Sequence, residues 1–182
     1  VLADDQSYLL GTISREITVG DYAFHYIRNT SSRVGLGHLA PIVGPMGRAI
    51  CFITPDGERS FGISRGIMNE YPPEAVPEAL VASAAALVLT TYLLRDERAP
   101  IFAATQRAVA IAARHGVPVV LSLGTEALVR ERREVFVELL RGVRGIVAGN
   151  FHELCALTGE VDPLLAGQAA LELADLVLLT RD

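Results

Sequence analysis

Asn150 and Glu153 are the residues of this chain whose types and spacing most directly suggest chemistry. Before them, Gly145-Ile146-Val147-Ala148 is a short apolar run that reads as a buried strand. After them, Leu154 to Gly159 reads as a helical turn closed by a glycine. Asn150 then falls at a helix N-cap, and Glu153 at the capping-box position three residues later, where its carboxylate folds back onto a free backbone N–H. Capping alone accounts for the pair structurally. A functional reading also fits. A strand end that opens into a helix N-terminus is where parallel α/β sheets bind phosphates, and a glutamate there attracts a metal-bound water. The two residues by themselves leave both readings open.

The elements that must position them alternate in type. Ala86 to Thr90 is predicted as a strand. Pro100 to His115 follows as an amphipathic helix, with Ile101, Ala104, Ala108, Ile111 and Ala112 at helical spacing and Gly116 as its stop. Val117 to Leu123 is a second strand, Glu126 to Leu140 a second helix, and Ile146 to Ala148 a third strand. Two short helices fill Asn150 to Ala174, and Leu176 to Leu179 is a fourth strand. Strands separated by helices of this length imply right-handed crossovers and an α/β fold with a mostly parallel sheet, helices on both faces. The first part differs: a strand over Ser7 to Ile13, then a helix over Asp21 to Asn29 capped by Asp21. Arg48 to Ile53 and Glu58 to Ser64 flank a Thr54-Pro55-Asp56-Gly57 turn and predict a β-hairpin. With glycines at both ends, between positions 44 and 66, this hairpin reads as a lid or as an edge hairpin that extends the sheet.

Composition narrows the function classes. At 182 residues the chain fits one domain with a real core, and its 51% apolar content argues against disorder. No apolar run approaches a membrane span, and the N-terminus lacks the basic and long apolar regions of a signal peptide. The expectation is a cytoplasmic soluble protein, off the membrane. Cys51 and Cys155 form no close pair and are expected to be reduced, buried small apolar residues. A net charge of −5 without a basic stripe argues against a nucleic-acid partner. All 16 basic residues are arginine, so Schiff-base chemistry and a Walker-type lysine are excluded within this sequence. The chain opens on Val1-Leu2-Ala3 without a methionine and closes just after a central-looking strand. It is expected to be an internal piece of a longer protein.

The order of these parts resembles the ribokinase-like (PfkB) sugar and nucleoside kinases. It comprises a lid hairpin with an Asp56-Gly57-Glu58-Arg59 turn, βα units, strand-Asn150-x-x-Glu153-helix, and a strand ending in Thr180. The matching runs span nearly the whole chain: Asn29 to Arg33, Gly57-Glu58-Arg59, Leu121 to Thr125, Leu157 to Glu160, and Asp162 to Ala166. The resemblance implies an ATP-dependent kinase with an alcohol group as acceptor. In the nucleoside branch this is phosphorylation of inosine or guanosine at the ribose 5′-hydroxyl. It implies that Asn150 and Glu153 organise Mg²⁺ and phosphate through bound water, and that Thr180 faces the nucleotide. It implies that Phe61 and Ile63 close over the nucleoside, that Arg59 reaches a phosphate when the lid shuts, and that Tyr92 and Leu93 are apolar walls for the base. A homodimer through the lid would follow from the same likeness.

Two departures matter. The family's catalytic aspartate lies in a G-x-G-D loop, and no such run occurs here; Gly20-Asp21 has other neighbours. No catalytic base is therefore assigned within the chain. It is expected beyond Asp182, and the segment alone is expected to be inactive. The upstream Gly-Gly and Asn substrate signature is missing as well. No substitute base is nominated from His25, His38, His115 or His152. A sugar kinase is the alternative within the family. A dinucleotide-dependent oxidoreductase would need a glycine-rich turn after the first strand, where Ser14-Arg15-Glu16-Ile17 stands instead. A noncatalytic binding or dimerisation module remains the alternative outside enzymes.

Overall fold

The computed structural model describes residues 5–16, 29 and 32–180. The predicted helix over Asp21 to Asn29 and its Asp21 cap fall outside these residues, apart from Asn29, as do Val1 to Asp4 and Arg181-Asp182. The chain divides into two compact units, Val1–Ala75 and Val76–Asp182.

In the first unit, the strand predicted over Ser7 to Ile13 is split. β1 (Ser7–Tyr8) pairs in parallel with β3 (Val34–Gly35), and β2 (Gly11–Ser14) with β4 (Leu39–Ile42). β3 and β4 carry a glycine and a proline and show no alternation, so only pairing with distant strands reveals them. Ser14 is buried, and its hydroxyl donates to Gly44 O at 2.6 Å. β5 (Arg48–Ile53) and β6 (Arg59–Ser64) form the predicted hairpin as a two-stranded antiparallel sheet of their own. Its turn is closed by Gly57 N to Thr54 O at 2.9 Å and Thr54 N to Glu58 O at 3.0 Å. The Asp56 carboxylate accepts from the Thr54 hydroxyl at 2.5 Å and from Glu58 N at 3.4 Å; the hydroxyl bond first, then the backbone bond, hold its pKa below the ordinary aspartate value.

The second unit is built on a four-stranded parallel sheet in the order β10-β9-β8-β7. Its strands are β7 (Leu87–Thr90), β8 (Val119–Ser122), β9 (Gly145–Asn150) and β10 (Leu176–Thr180). α1 (Glu78–Ala82) precedes β7. α2 (Pro100–His115) connects β7 to β8, with proline in its first turn and Gly116 at φ 66° after its end, both as predicted. α3 (Glu126–Glu131) and α4 (Arg133–Arg141) lead to β9; α5 (Phe151–Thr158) and α6 (Pro163–Leu171) lead to β10.

The single helix predicted over Glu126 to Leu140 breaks at Arg132. Two adjacent arginines there reach different elements. Arg132 pairs with Glu97 at 2.5 Å, while Arg133 donates to the C-terminal carbonyls of α5, Leu157 O at 2.7 Å and Thr158 O at 2.9 Å. Tertiary bonds override the helical pattern at that point. Arg133 also leaves a cation at the negative end of α5.

Strand register sorts the sheet into two rows. Leu89, Leu121 and Val147 lie side by side on one face and are buried. The three crossovers all step in one direction along the sheet, so right-handed connections carry their helices to one face. The expected helical cover is realised there. The opposite row, Val88, Val120, Ile146 and Leu176, is open at its ends: Val88 is 70% exposed and Leu176 47%. Among the described residues no helix is long and apolar enough to cross a membrane.

Phe136 of α4 is fully buried. Phe136→Ala should cost about 3–5 kcal/mol, read as a lowered urea midpoint at unchanged slope.

Candidate functional site

β9 runs straight into α5, and the turn between them is a complete capping box. Asn150 Oδ1 accepts from Glu153 N at 3.0 Å, and Asn150 N donates to Glu153 Oε2 at 3.0 Å. The structural half of the sequence reading is therefore met. Glu153 is also a carboxylate with only 7% of its surface exposed. Oε2 is engaged in the cap, and Oε1 takes no hydrogen bond among the described residues, which leaves it for a water or a cation's hydration shell. A buried charged group with one free oxygen is costly as a cap alone.

Gly149 makes this geometry possible, and sequence reasoning passed over it. A Cβ there would lie 2.8 Å from Leu123 Cδ1 and 2.9 Å from Glu153 Oε2. The signal was present as a glycine directly before the N-cap, at the end of an otherwise apolar strand.

Thr180, the last residue of β10, pairs in register with Asn150, the last residue of β9. The structure thus brings Asn150, Glu153 and Thr180 to one corner of the sheet's C-terminal edge. Tyr92 and Leu93 sit on a 3-10 helix, Thr91–Leu94, directly after β7 at the same edge. Tyr92 is half exposed, and its ring packs so close to Gly124 that a Cβ on Gly124, at φ 82°, would lie 2.9 Å from Cε2. The Thr91 hydroxyl, fully buried, donates to Leu123 O and ties the two loops together.

On the hairpin, register puts Arg59, Phe61 and Ile63 on one face with Ile53, Cys51 and Ala49; Ile50 and Phe52 occupy the other, Phe52 against Gly62. Both faces are exposed. The expectation of a buried Cys51 is corrected here: a two-stranded ribbon with solvent on both faces cannot bury a mid-strand residue. Cys155 is half-buried, and both cysteines are free thiols. Burial first, then Asp162, Glu126 and Glu160, push the Cys155 thiol above its ordinary value.

No protein-family profile matches the chain. It is 46% identical over 181 residues to the guanosine-inosine kinases of Escherichia coli strains K12, O6:H1 and O157:H7, covering 99% of this chain and 42% of theirs. The adenosine kinase of Sinorhizobium meliloti superposes with a TM-score of 0.82 at 28% identity, over 96% of this chain and 53% of that one. Over nearly its whole length the chain is similar in sequence to these kinases, and its fold is ribokinase-like. A ribokinase II of E. coli in complex with ATP and Mg²⁺ shares the ribokinase-like fold at a TM-score of 0.77 and 15% identity, over 96% of this chain and 56% of that one. The chain spans 42% of the length of the curated relatives it matches.

Asn150→Ala should cost about 0.5–2 kcal/mol, the ordinary loss of an N-cap. Gly149→Ala should cost more, because its Cβ meets both Leu123 and the Glu153 carboxylate. Urea unfolding of the two variants side by side checks the order.

Proposed function

We propose that this chain is part of an ATP-dependent kinase that phosphorylates a purine nucleoside, inosine or guanosine, at the ribose 5′-hydroxyl. The observation that carries the reading is the buried Glu153 carboxylate at a strand-to-helix turn, with one oxygen spent on the cap and one free. The likeness to the guanosine-inosine kinases supports the substrate class.

Among the described residues no three His, Cys, Asp or Glu side chains cluster as a cage. That suits Mg²⁺, which keeps several waters and is held by one or two carboxylates together with substrate phosphates. Glu153 would hold the hydrated ion, Asn150 and the α5 N-terminus would face phosphate, and Thr180 beside them would face the nucleotide. With ATP bound, Mg²⁺ supplies neutralisation of the charge on the transferring phosphoryl group. The chain's own share is to hold donor and ion in one geometry, since positioning and electrostatics dominate phosphoryl transfer. Tyr92 and Leu93 are assigned to the base as apolar walls.

The hairpin divides its two exposed faces between two tasks in this reading. Phe61 and Ile63 close over the nucleoside as a lid, with Arg59 reaching a phosphate. Ile50 and Phe52 on the other face pair with a second copy in a homodimer. The catalytic base is assigned to the parent protein outside these 182 residues, because no G-x-G-D loop occurs in them. Dependence on ATP places the work in the cytoplasm.

In the full-length parent, Glu153→Gln should raise the Mg²⁺ concentration for half-maximal rate roughly 10- to 100-fold, with the melting temperature within a few degrees. Lost stability with unchanged Mg²⁺ dependence would reduce Glu153 to a cap. Phe61→Ala should raise KM for inosine severalfold and leave KM for ATP unchanged. Activity on free ribose but on no nucleoside would overturn the substrate class.

A further inference from the structure

All four parallel strands of the second unit end on a small polar residue, and register puts the four on one face. β7 ends at Thr90, β8 at Ser122, β9 at Asn150 and β10 at Thr180. Thr90 pairs with Ser122, Ser122 with Ala148, and Asn150, two residues beyond Ala148, with Thr180. The row beneath them on the same face, Val88, Val120, Ile146 and Leu176, is wholly apolar. Polarity is thus confined to the C-terminal edge, where open α/β sheets take their ligands.

Four hydroxyls elsewhere in the unit are satisfied by backbone carbonyls, whereas Thr125, which follows the β8 loop, makes no cap bond. Thr91 donates to Leu123 O, Thr105 to Ile101 O, Thr158 to Leu154 O and Ser83 to Ala79 O. No hydrogen bond to the hydroxyl of Thr90, Ser122 or Thr180 occurs among the described residues. Ser122 is exposed, and the loop after it is held by the Thr91 bond to Leu123 and the packing of Tyr92 on Gly124. A free hydroxyl on a fixed loop is a pre-organised donor.

We propose that Ser122, flanked by Thr90, is a further binding residue for the polyphosphate of the donor nucleotide and its hydrated cation. This rests on the reading of Asn150 and Glu153 given above. The spacing fits: neighbouring strands lie about 4.8 Å apart, and two residues along a strand add about 6.6 Å. A hydrated Mg²⁺ reaches hydrogen-bond partners about 5 Å from its centre, so an ion above the strand ends, between Asn150 and Ser122, spans that gap through its waters or a phosphate oxygen. Ser122 donates its hydroxyl proton to a phosphate oxygen or accepts from a cation-bound water. Thr90 sits one strand further out, at the edge of the same group.

The test is steady-state kinetics of the full-length parent with Ser122→Ala, Ser122→Thr and Thr90→Val, each varied in ATP, Mg²⁺ and inosine. Ser122→Ala should raise KM for MgATP roughly threefold to tenfold, the worth of one hydrogen bond, with KM for inosine unchanged. Ser122→Thr should restore it, and Thr90→Val should act in the same direction and more weakly. Melting temperatures should stay at the parent value, since no protein partner is lost. An unchanged KM for MgATP, or a shift in KM for inosine instead, overturns the proposal. Glu153→Gln is run alongside. If it alters the Mg²⁺ requirement while Ser122→Ala is silent, only the role of Ser122 falls. If Glu153→Gln is also silent, the reading of the whole edge falls with it.

Discussion

The reciprocal bonds between Asn150 and Glu153 are the constraint on which the site depends. They join the end of a buried strand to the start of a helix within four residues, and they do so with a carboxylate that is almost fully enclosed. A neutral glutamine or a serine could supply a cap at less desolvation cost. In the proposed reading, the free oxygen of that carboxylate would meet a hydrated cation. The α5 N-terminus adds its own partial positive charge at the same turn, which in the proposed reading would suit an incoming phosphate.

Much of the second unit serves to hold that turn still. Gly149 lets Leu123 and the Glu153 carboxylate close on the backbone, so the β8 loop and the β9 turn are in contact. The β8 loop is in turn tied to the 3-10 helix after β7 by Thr91, and Tyr92 lies on Gly124. At the far end of α5, Arg133 bonds two terminal carbonyls and fixes the helix along its axis. The helix that carries Glu153 is therefore fastened at both ends, by a capping box and by a guanidinium. In the kinase reading proposed above, a rigid support of this kind is what phosphoryl transfer would require.

The hairpin obeys a different logic. Its strands and turn satisfy their own backbone bonds, but both faces present Ile and Phe to solvent. A ribbon of two strands has too little area to bury anything within itself. Its apolar side chains have no core to join in the first unit; the proposed reading gives them a ligand and a second copy to meet. The exposed Cys51 follows from that same geometry.

The capping box, the turn at Asp56-Gly57, the limits of α2 and the order of strands and helices in the second unit were legible in the sequence. Each rests on interactions within about four residues, where side-chain type and spacing decide the outcome. The resemblance to ribokinase-like kinases rested on that same local order. What the sequence could not disclose depends on which distant residues come side by side. Nothing local says that Thr180 lies beside Asn150, that Thr90 and Ser122 stand in line with them, or that β3 and β4 are strands at all. Strand register is settled by the burial of whole rows of side chains, and a slip of one residue would turn every strand end to the opposite face. The break at Arg132 is of the same kind, because a helical pattern yields where two arginines find acceptors on other elements. Local chemistry was written in the chain; the meeting of the four strand ends was decided only when the sheet packed.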